Sequence, residues 1–534
     1  MKLTDSGLQE RSSWEAKGYT LPSFDRAAMQ QETRKNPLWV HFGAGNIFRV
    51  FPAALQQQLL NEGLSKAGII VGEGFDYQII DKVYAKHDNL TLMVTLKSDG
   101  SIEKEVIASV AYAYKCDPQF EEEWKFFSET FTKPSLQMVS FTITEKGYSL
   151  KGGNGAYYPQ VVEDLANGPS KPTMFLSKLT ALIYKRYQSK AGKLALVSMD
   201  NCSHNGQKLY DAVMEIARTW EQNGLVEKGF CNYLDNSVSF PWSMIDKITP
   251  RPDAKVEAML KADGFEDTTL VITDKNTYTA PFVNAEQSQY LVIEDLFANG
   301  RPALEKAGVY FTDRDTVNKV ERMKVTTCLN PLHTALAIFG CLLGHTLISE
   351  EMRDAELKKL VEGIGYTEGM PVVVDPKILD PKAFISEVLN TRFPNPFMPD
   401  TPQRIATDTS QKLAIRFGET IKAYDADPKL EVKSLKLIPL VFAGWLRYLM
   451  AIDDELNSFT PSSDPRLAEA QAYVKDIRIG DKPTVEQLKG LLSDATLFGV
   501  DLLEVGLADL VVSYFTSLIE GKGAVRRTLQ QYVH

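Results

Sequence analysis

The segment MKVTTCLNPLHTALAIFG, Met323–Gly340, places a lysine, an asparagine and a histidine ahead of, or on the first turn of, a very apolar helix. A core helix has no use for Lys324, Asn330 and His333, because each polar group would have to be buried with a partner. A reaction centre that moves a proton does have a use for them. Asn-Pro is a helix-start signal, with Asn330 suited to the N-cap and Pro331 to the first helical position. His333 then falls in the first turn, where the positive end of the helix dipole favours the neutral imidazole. Lys324 lies six residues before Asn330, ~240° away on a regular helix. It must therefore reach a common site from the segment before the helix, or across a distortion. The plainer reading, a cap, a first-turn polar residue and a solvated lysine, stays open at this point.

A second chemical signal lies upstream. Gly43-Ala44-Gly45 follows a short apolar strand, Leu38 to Phe42, and opens a helix of ~16 residues that closes at Gly63. That context suits a pyrophosphate resting on a helix N-terminus, and hence a dinucleotide. The third glycine of the usual fingerprint is replaced by Phe48. The acidic residue expected after the second strand is Glu73, or alternatively Asp76. No Arg or Lys lies between Gly72 and Ile80 to receive a 2′-phosphate, which favours NAD over NADP.

An enzyme that oxidises an alcohol with such a cofactor must also move a proton. The cysteine spacing offers no zinc ligand set, so no metal is expected. None of the 21 tyrosines has a lysine four residues later, which excludes the short-chain dehydrogenase pair. Among six histidines, His41, His204 and His333 remain as candidates.

These residues need elements to hold them. Strand-like runs at 67–75, 90–96, 105–114, 137–144 and 194–200 alternate with helical patterns such as MFLSKLTALIYKRYQ. The pattern predicts an α/β fold: a doubly wound domain over 1–296, followed by a mainly α-helical domain over 297–534. Net charge is −10, with no long basic run, which argues against nucleic acid or an anionic membrane surface as partner. A local pocket can still oppose that charge and take an anionic small molecule. The five cysteines are scattered, the N-terminus is polar, and the most apolar run, TALAIFGCLLG, is too short to span a bilayer. A cytoplasmic protein is expected, either a monomer or a small homo-oligomer.

Six segments in order resemble the polyol-specific long-chain dehydrogenase/reductases, the mannitol dehydrogenase family. FGAGNIFR resembles its GxGxFxR turn, FTITEKGY its TxTExGY strand end, and SMDNCSHNG its SxDNxxxNG segment. FPWSMIDKITP, LVIEDLFANGRP and MKVTTCLNPLHTAL resemble FPxSMVDRITP, VIEDxFxxGRP and MKLRxLNGxHSAL. The resemblance covers the chain from about Trp39 to the C-terminal helices. It implies a Rossmann-like NAD-binding domain, a helical substrate domain, and metal-independent hydride transfer between a secondary alcohol and a ketone.

The resemblance also implies roles. Lys324 would be the general acid/base, a task that near neutral pH requires a lysine made less basic by burial. Asn201 and Asn330 would donate hydrogen bonds to the substrate oxygen. His333 would orient the substrate, Asp246 would lie beside the sugar chain, and Glu321 would relay protons. Asn46, Ile47 and Phe48 in the turn, with Thr144 and Glu145 at the strand end, would lie at the cofactor with Gly43, Gly45 and Glu73. RFPNPFMPDTPQRIATDTSQK resembles the family's RFxNPxxxD…RIxxDxxxK segment and implies Arg404 and Lys412 as substrate contacts. An aldonate substrate such as D-mannonate, reduced from D-fructuronate, would suit those two cations. A neutral polyol such as mannitol, or altronate, is the alternative, and a nucleotide sensor without catalysis is a remote one. One departure stands out: the family has five residues from lysine to asparagine and this chain has six. The extra residue must be absorbed locally, as by a bulge.

Overall fold

The computed structural model describes residues 1–533, which form two compact units: Met1–Lys97 with Ser101–Asn318, and Ser98–Gly100 with Lys319 onward. The division falls at Asn318/Lys319 and not at 296/297. Tyr310–Thr312 pairs in parallel with Tyr290–Glu294 and so keeps the chain in the first unit.

The first unit is built on six parallel strands: β1 (Trp39–Phe42), β2 (Ile69–Glu73), β3 (Val110–Lys115), β4 (Met138–Phe141), β5 (Leu194–Ser198) and β6 (Val238–Ser239). Their order is β3-β2-β1-β4-β5-β6, the doubly wound arrangement that the alternation predicted. Every residue of β1, β2, β4 and β5 is buried, as a parallel sheet covered on both faces requires. Val40, Phe42, Val139 and Phe141 face a core with Phe127, Leu179, Leu182 and Trp220. Trp39, Ile69, Val71 and Met138 face the opposite core, with Phe48, Leu55, Leu59 and Tyr84.

Two local expectations change. The helix after the glycine turn is broken into Asn46–Val50 and Pro52–Asn61, because Pro52 lacks an N–H and Phe51 leaves helical geometry at φ −125°, ψ −76°. The run 105–114 is not one strand. Ile102–Ile107 pairs antiparallel with Thr91–Leu96 in a second sheet, whereas β3 belongs to the first. Fully buried Gln57 takes up the backbone groups freed at that crossing: its Oε1 accepts from Ala108 N–H, and its Nε2 donates to Val106 O. Strands Ser243–Asp246, Phe282–Glu286 and Tyr290–Glu294 were not anticipated.

The second unit is helical. Leu437–Leu449, with all but its first residue buried, packs on Asn330–Leu343 and Ala508–Leu518, and Gly444 lets the ring of Phe339 approach its backbone. The N-terminus of Leu437–Leu449 is closed by a side chain from elsewhere, Glu368, which accepts from the N–H groups of Lys436, Leu437 and Ile438. The apolar run TALAIFGCLLG belongs to a continuous 30-residue helical stretch, Arg314–Leu343, long and apolar enough to cross a membrane. Its most apolar window is 83% buried within the protein, so burial, not shortness, marks it as a core helix.

Candidate functional site

The first unit offers a dinucleotide turn between β1 and β4, where the strand order reverses. Gly43 has φ +107°, and a Cβ there would lie 2.1 Å from Thr142 O, so only glycine fits. A Cβ on Gly45 would meet nothing within 4 Å, which leaves open space at the start of the helix. This close-packed first glycine and open second one fit a bound pyrophosphate.

Glu73 ends β2 and is nearly buried. Its Oε2 accepts from Ala44 N–H at 2.9 Å, and its Oε1 from Phe75 and Asp76 N–H at 2.8 and 3.1 Å. It therefore braces the glycine turn, and burial raises its pKa against those stabilising bonds. Asp76 is engaged differently, accepting from Thr273 and Thr277 hydroxyls. The tertiary fold also brings in a cation that the local sequence lacked: Lys275 Nζ lies 4.8 Å from the centroid of the exposed Phe75 ring.

Other residues of the turn serve as supports. Phe48, expected at the cofactor, is fully buried and stacked on His41 at 4.1 Å, so it presents no surface to a ligand. Asn46 bonds to Tyr278 O and Thr279 Oγ1, and Ile47 packs on the core. Arg49 is fully buried, donating to Thr91, Thr279, Ala280 and Pro281. His41 bonds through both ring nitrogens to Ser140 and Thr142 hydroxyls, and burial lowers its pKa to about 3, which makes it a structural residue.

At the β4 and β5 ends, Asp200 ties two loops together. It accepts from Ile143 and Thr144 N–H at 2.9 Å each and from Tyr148 Oη at 2.6 Å. Thr144 is held at φ +65°, ψ 159°, a strained conformation for a β-branched residue and a mark of a functional segment. Glu145 pairs at the surface with Lys208. Asn201 follows Asp200 in an exposed turn, and buried Asn205 anchors that turn to Ser198, Asp200 and Ser243. Asp246 ends its strand in a buried position. Asp200 and Asn205 lie inside the SMDNCSHNG segment, yet only their hydrogen bonds distinguish them as the positioning groups. His204 stacks on Trp242 at 4.4 Å.

The second unit carries the lysine site. Lys324 opens a π-helical segment, Lys324–Cys328, closed by Leu329 N–H donating to Lys324 O five residues back. This is the expected bulge. Lys324 and His333 are nine residues apart, ~180° on a regular helix; one residue taken up by the wide turn leaves ~80°. Lys324 is 5% exposed. Glu321, one turn before it, is partly exposed.

Asn330 is not the N-cap. The helix Asn330–Leu343 has Leu329 as its N-cap, at φ −134°, ψ −63°, with His333 N–H bonded to Leu329 O. The Asn330 side chain has no hydrogen-bond partner among the described residues, which leaves it free for a ligand. His333 lies in the first turn of that helix, as expected. Its pKa falls to about 4 because it is buried, with Arg416, Arg404 and Arg392 adding to the effect and Asp400 opposing it. It is a neutral imidazole at pH 7. Its Nε2 is sealed from solvent without a hydrogen-bond partner, 3.6 Å from Asp400 Oδ2. Arg404 is paired with that same Asp400, and its side chain is 62% exposed. Lys412 Nζ donates to the carbonyls of Ile405 and Thr407, and its pKa is lowered by burial and then by Arg416. Of the two cations expected from sequence, Arg404 acts on His333 and Lys412 lies beside Arg404 and Arg416; Arg416 and Arg392, which also act on His333, were not expected. Among the described residues no three His, Cys, Asp or Glu side chains converge as a metal site would require.

The chain matches the model of the mannitol dehydrogenase Rossmann domain over residues 38–306 and that of the mannitol dehydrogenase C-terminal domain over 316–518. It is 53% identical to the D-mannonate oxidoreductase of Thermotoga maritima, over 100% of this chain and 99% of that one. A solved mannitol 2-dehydrogenase of Pseudomonas fluorescens, in ternary complex with NAD and D-mannitol, is 26% identical with a TM-score of 0.69, covering 99% of each chain. A substrate-free D-sorbitol dehydrogenase shares the fold at TM-score 0.79 and 23% identity, over 96% of this chain and 97% of that one. With two domain models spanning most of its length and a relative matched end to end, the chain belongs to the mannitol dehydrogenase family.

Proposed function

We propose that the protein is an NAD-dependent secondary-alcohol dehydrogenase that interconverts D-mannonate and D-fructuronate in the cytoplasm. The observation that carries this choice is the end-to-end 53% likeness to a D-mannonate oxidoreductase. The cationic surroundings of His333, in a chain of net charge −10, supply chemistry that suits a carboxylated substrate.

Bound NAD supplies the hydride acceptor, and NADH the donor, at the substrate carbon. The glycine turn and Glu73 hold the dinucleotide, with the Glu73 carboxyl disfavouring a 2′-phosphate. In oxidation, the Lys324 amine takes the hydroxyl proton as the C–H hydride leaves; in reduction, the ammonium returns a proton to the nascent alkoxide. Asn330, with its amide free, donates to the oxygen as charge develops there. Neutral His333 orients a substrate hydroxyl. On the first unit, Asn201 and Asp246 are assigned as further substrate contacts and Thr144 and Glu145 as cofactor contacts, whereas Glu321 on the second is assigned to proton relay.

A neutral polyol is the second reading. The observation that favours it is that Arg404 and Lys412 are already engaged, by Asp400 and by two carbonyls. Loss of NADH absorbance with D-fructuronate, D-tagaturonate and D-fructose in parallel separates the readings. Rapid turnover of D-fructuronate alone is expected, and preference for D-fructose would overturn the substrate assignment. Repeating the assay with NADPH is expected to give slower turnover.

A further inference from the structure

We propose that Arg416 is the group that grips the substrate carboxylate, and that it, more than Arg404, separates sugar acids from neutral polyols. This rests on the sugar-acid reading above. Of the cations around His333, Arg404 is neutralised by Asp400 and Arg392 is already engaged within the fold; Lys412, beside Arg404 and Arg416, is turned onto two backbone carbonyls. Arg416 has no carboxylate partner among the described residues. Its Nη1 donates to Thr334 Oγ1, whereas Nε and Nη2 carry no hydrogen bond to any described residue. Those two nitrogens form the side of the guanidinium that can hold a carboxylate through two parallel bonds.

The position is right as well as the charge. Thr334 directly follows His333 and lies one turn beyond Asn330, so the bond to Thr334 sets the guanidinium beside the residues that orient the substrate. Arg416 itself lies in a π-helical segment, Ala414–Gly418, just as Lys324 lies in another. Such wide turns recur at functional sites, where they re-aim side chains. The guanidinium is largely buried, and burial brings its pKa down to about 10 with no anion to offset the effect. A buried cation without a counter-ion is costly, and an incoming carboxylate removes that cost where a neutral polyol leaves it.

The test compares wild type, Arg416→Gln, Arg416→Lys and Thr334→Val with NADH and either D-fructuronate or D-fructose. Arg416→Gln is expected to lower kcat/KM for D-fructuronate by about 100-fold, mostly through KM, and to shrink the ratio of D-fructuronate to D-fructose turnover. Arg416→Lys is expected to recover about tenfold by restoring the charge without the fork, and Thr334→Val to raise KM about tenfold. NADH binding and Tm report whether each variant folds; if Arg416→Gln does not, the other two variants decide. An unchanged D-fructuronate KM in folded variants, or equal loss on both substrates, overturns the role of Arg416. Wild-type preference for D-fructose overturns the sugar-acid reading and this proposal with it.

Discussion

Lys324 is a buried cation on the second unit, one residue past the end of a regular helical segment. A residue in that setting, assigned to proton transfer, has a sharp signature. Lys324→Ala is expected to lower kcat by about 10³-fold while leaving NADH affinity within about twofold. Stopped turnover with intact fluorescence titration by NADH is the result to look for; normal turnover would remove Lys324 from the mechanism. The sequence expected His333 to be neutral because it lies in the first turn of a helix, and it does lie there. Burial is the largest cause of its lowered pKa, where the helix dipole was the expected one.

At the scale of elements, the π segment explains how a chain with one residue too many keeps the family's geometry. Eight residues on a regular helix separate lysine from histidine by ~80°, and nine with one absorbed give the same angle. Deleting Val325 should therefore restore a regular helix and keep kcat within about tenfold of wild type. Inserting an alanine at the same place should cost about 100-fold or more, since a second extra residue turns Lys324 away by a further ~100°. Loss of turnover in a well-folded deletion variant would show that the bulge does more than keep phase. The need for a bulge was legible from the count of residues, but its position was not. The break at Pro52 was not expected although the proline stands in the sequence, and the crossing near Ala108 required knowing that Gln57 would take its hydrogen bonds.

Over the whole molecule, stability should peak between two losses. His41 and His333 have native pKa values of about 3 and about 4, below the ordinary 6.5. The unfolded chain therefore binds more protons, and stability falls as pH drops from about 6.5 toward 4, by about 3 kcal/mol for each imidazole. Glu351 acts in the opposite sense. Both its oxygens are buried without a hydrogen-bond partner, packed on bare Gly340, and burial raises its pKa well above 4.5. Its contribution is complete below about 4.5 and is lost as pH rises. Tm followed from pH 4 to 9 should show both arms, and Glu351→Gln should flatten the alkaline one alone. Parallel curves for wild type and variant above pH 6 would show that Glu351 ionises freely.

By itself, the sequence determined the doubly wound α/β class, the helical second half, the glycine turn and the family. These rest on local periodicity, turn chemistry and ordered motifs, all of which are properties of short stretches. Tertiary structure decided which polar residues are available and which are already engaged. Glu73 was expected as a ribose ligand and also braces the turn. Phe48 and Arg49 lie in the family motif yet are buried supports. Arg416, absent from any motif, has no carboxylate partner among the described residues. Hydrogen bonding and charge pairing connect residues far apart in the chain, such as Thr334 with Arg416, and only the folded coordinates place them side by side.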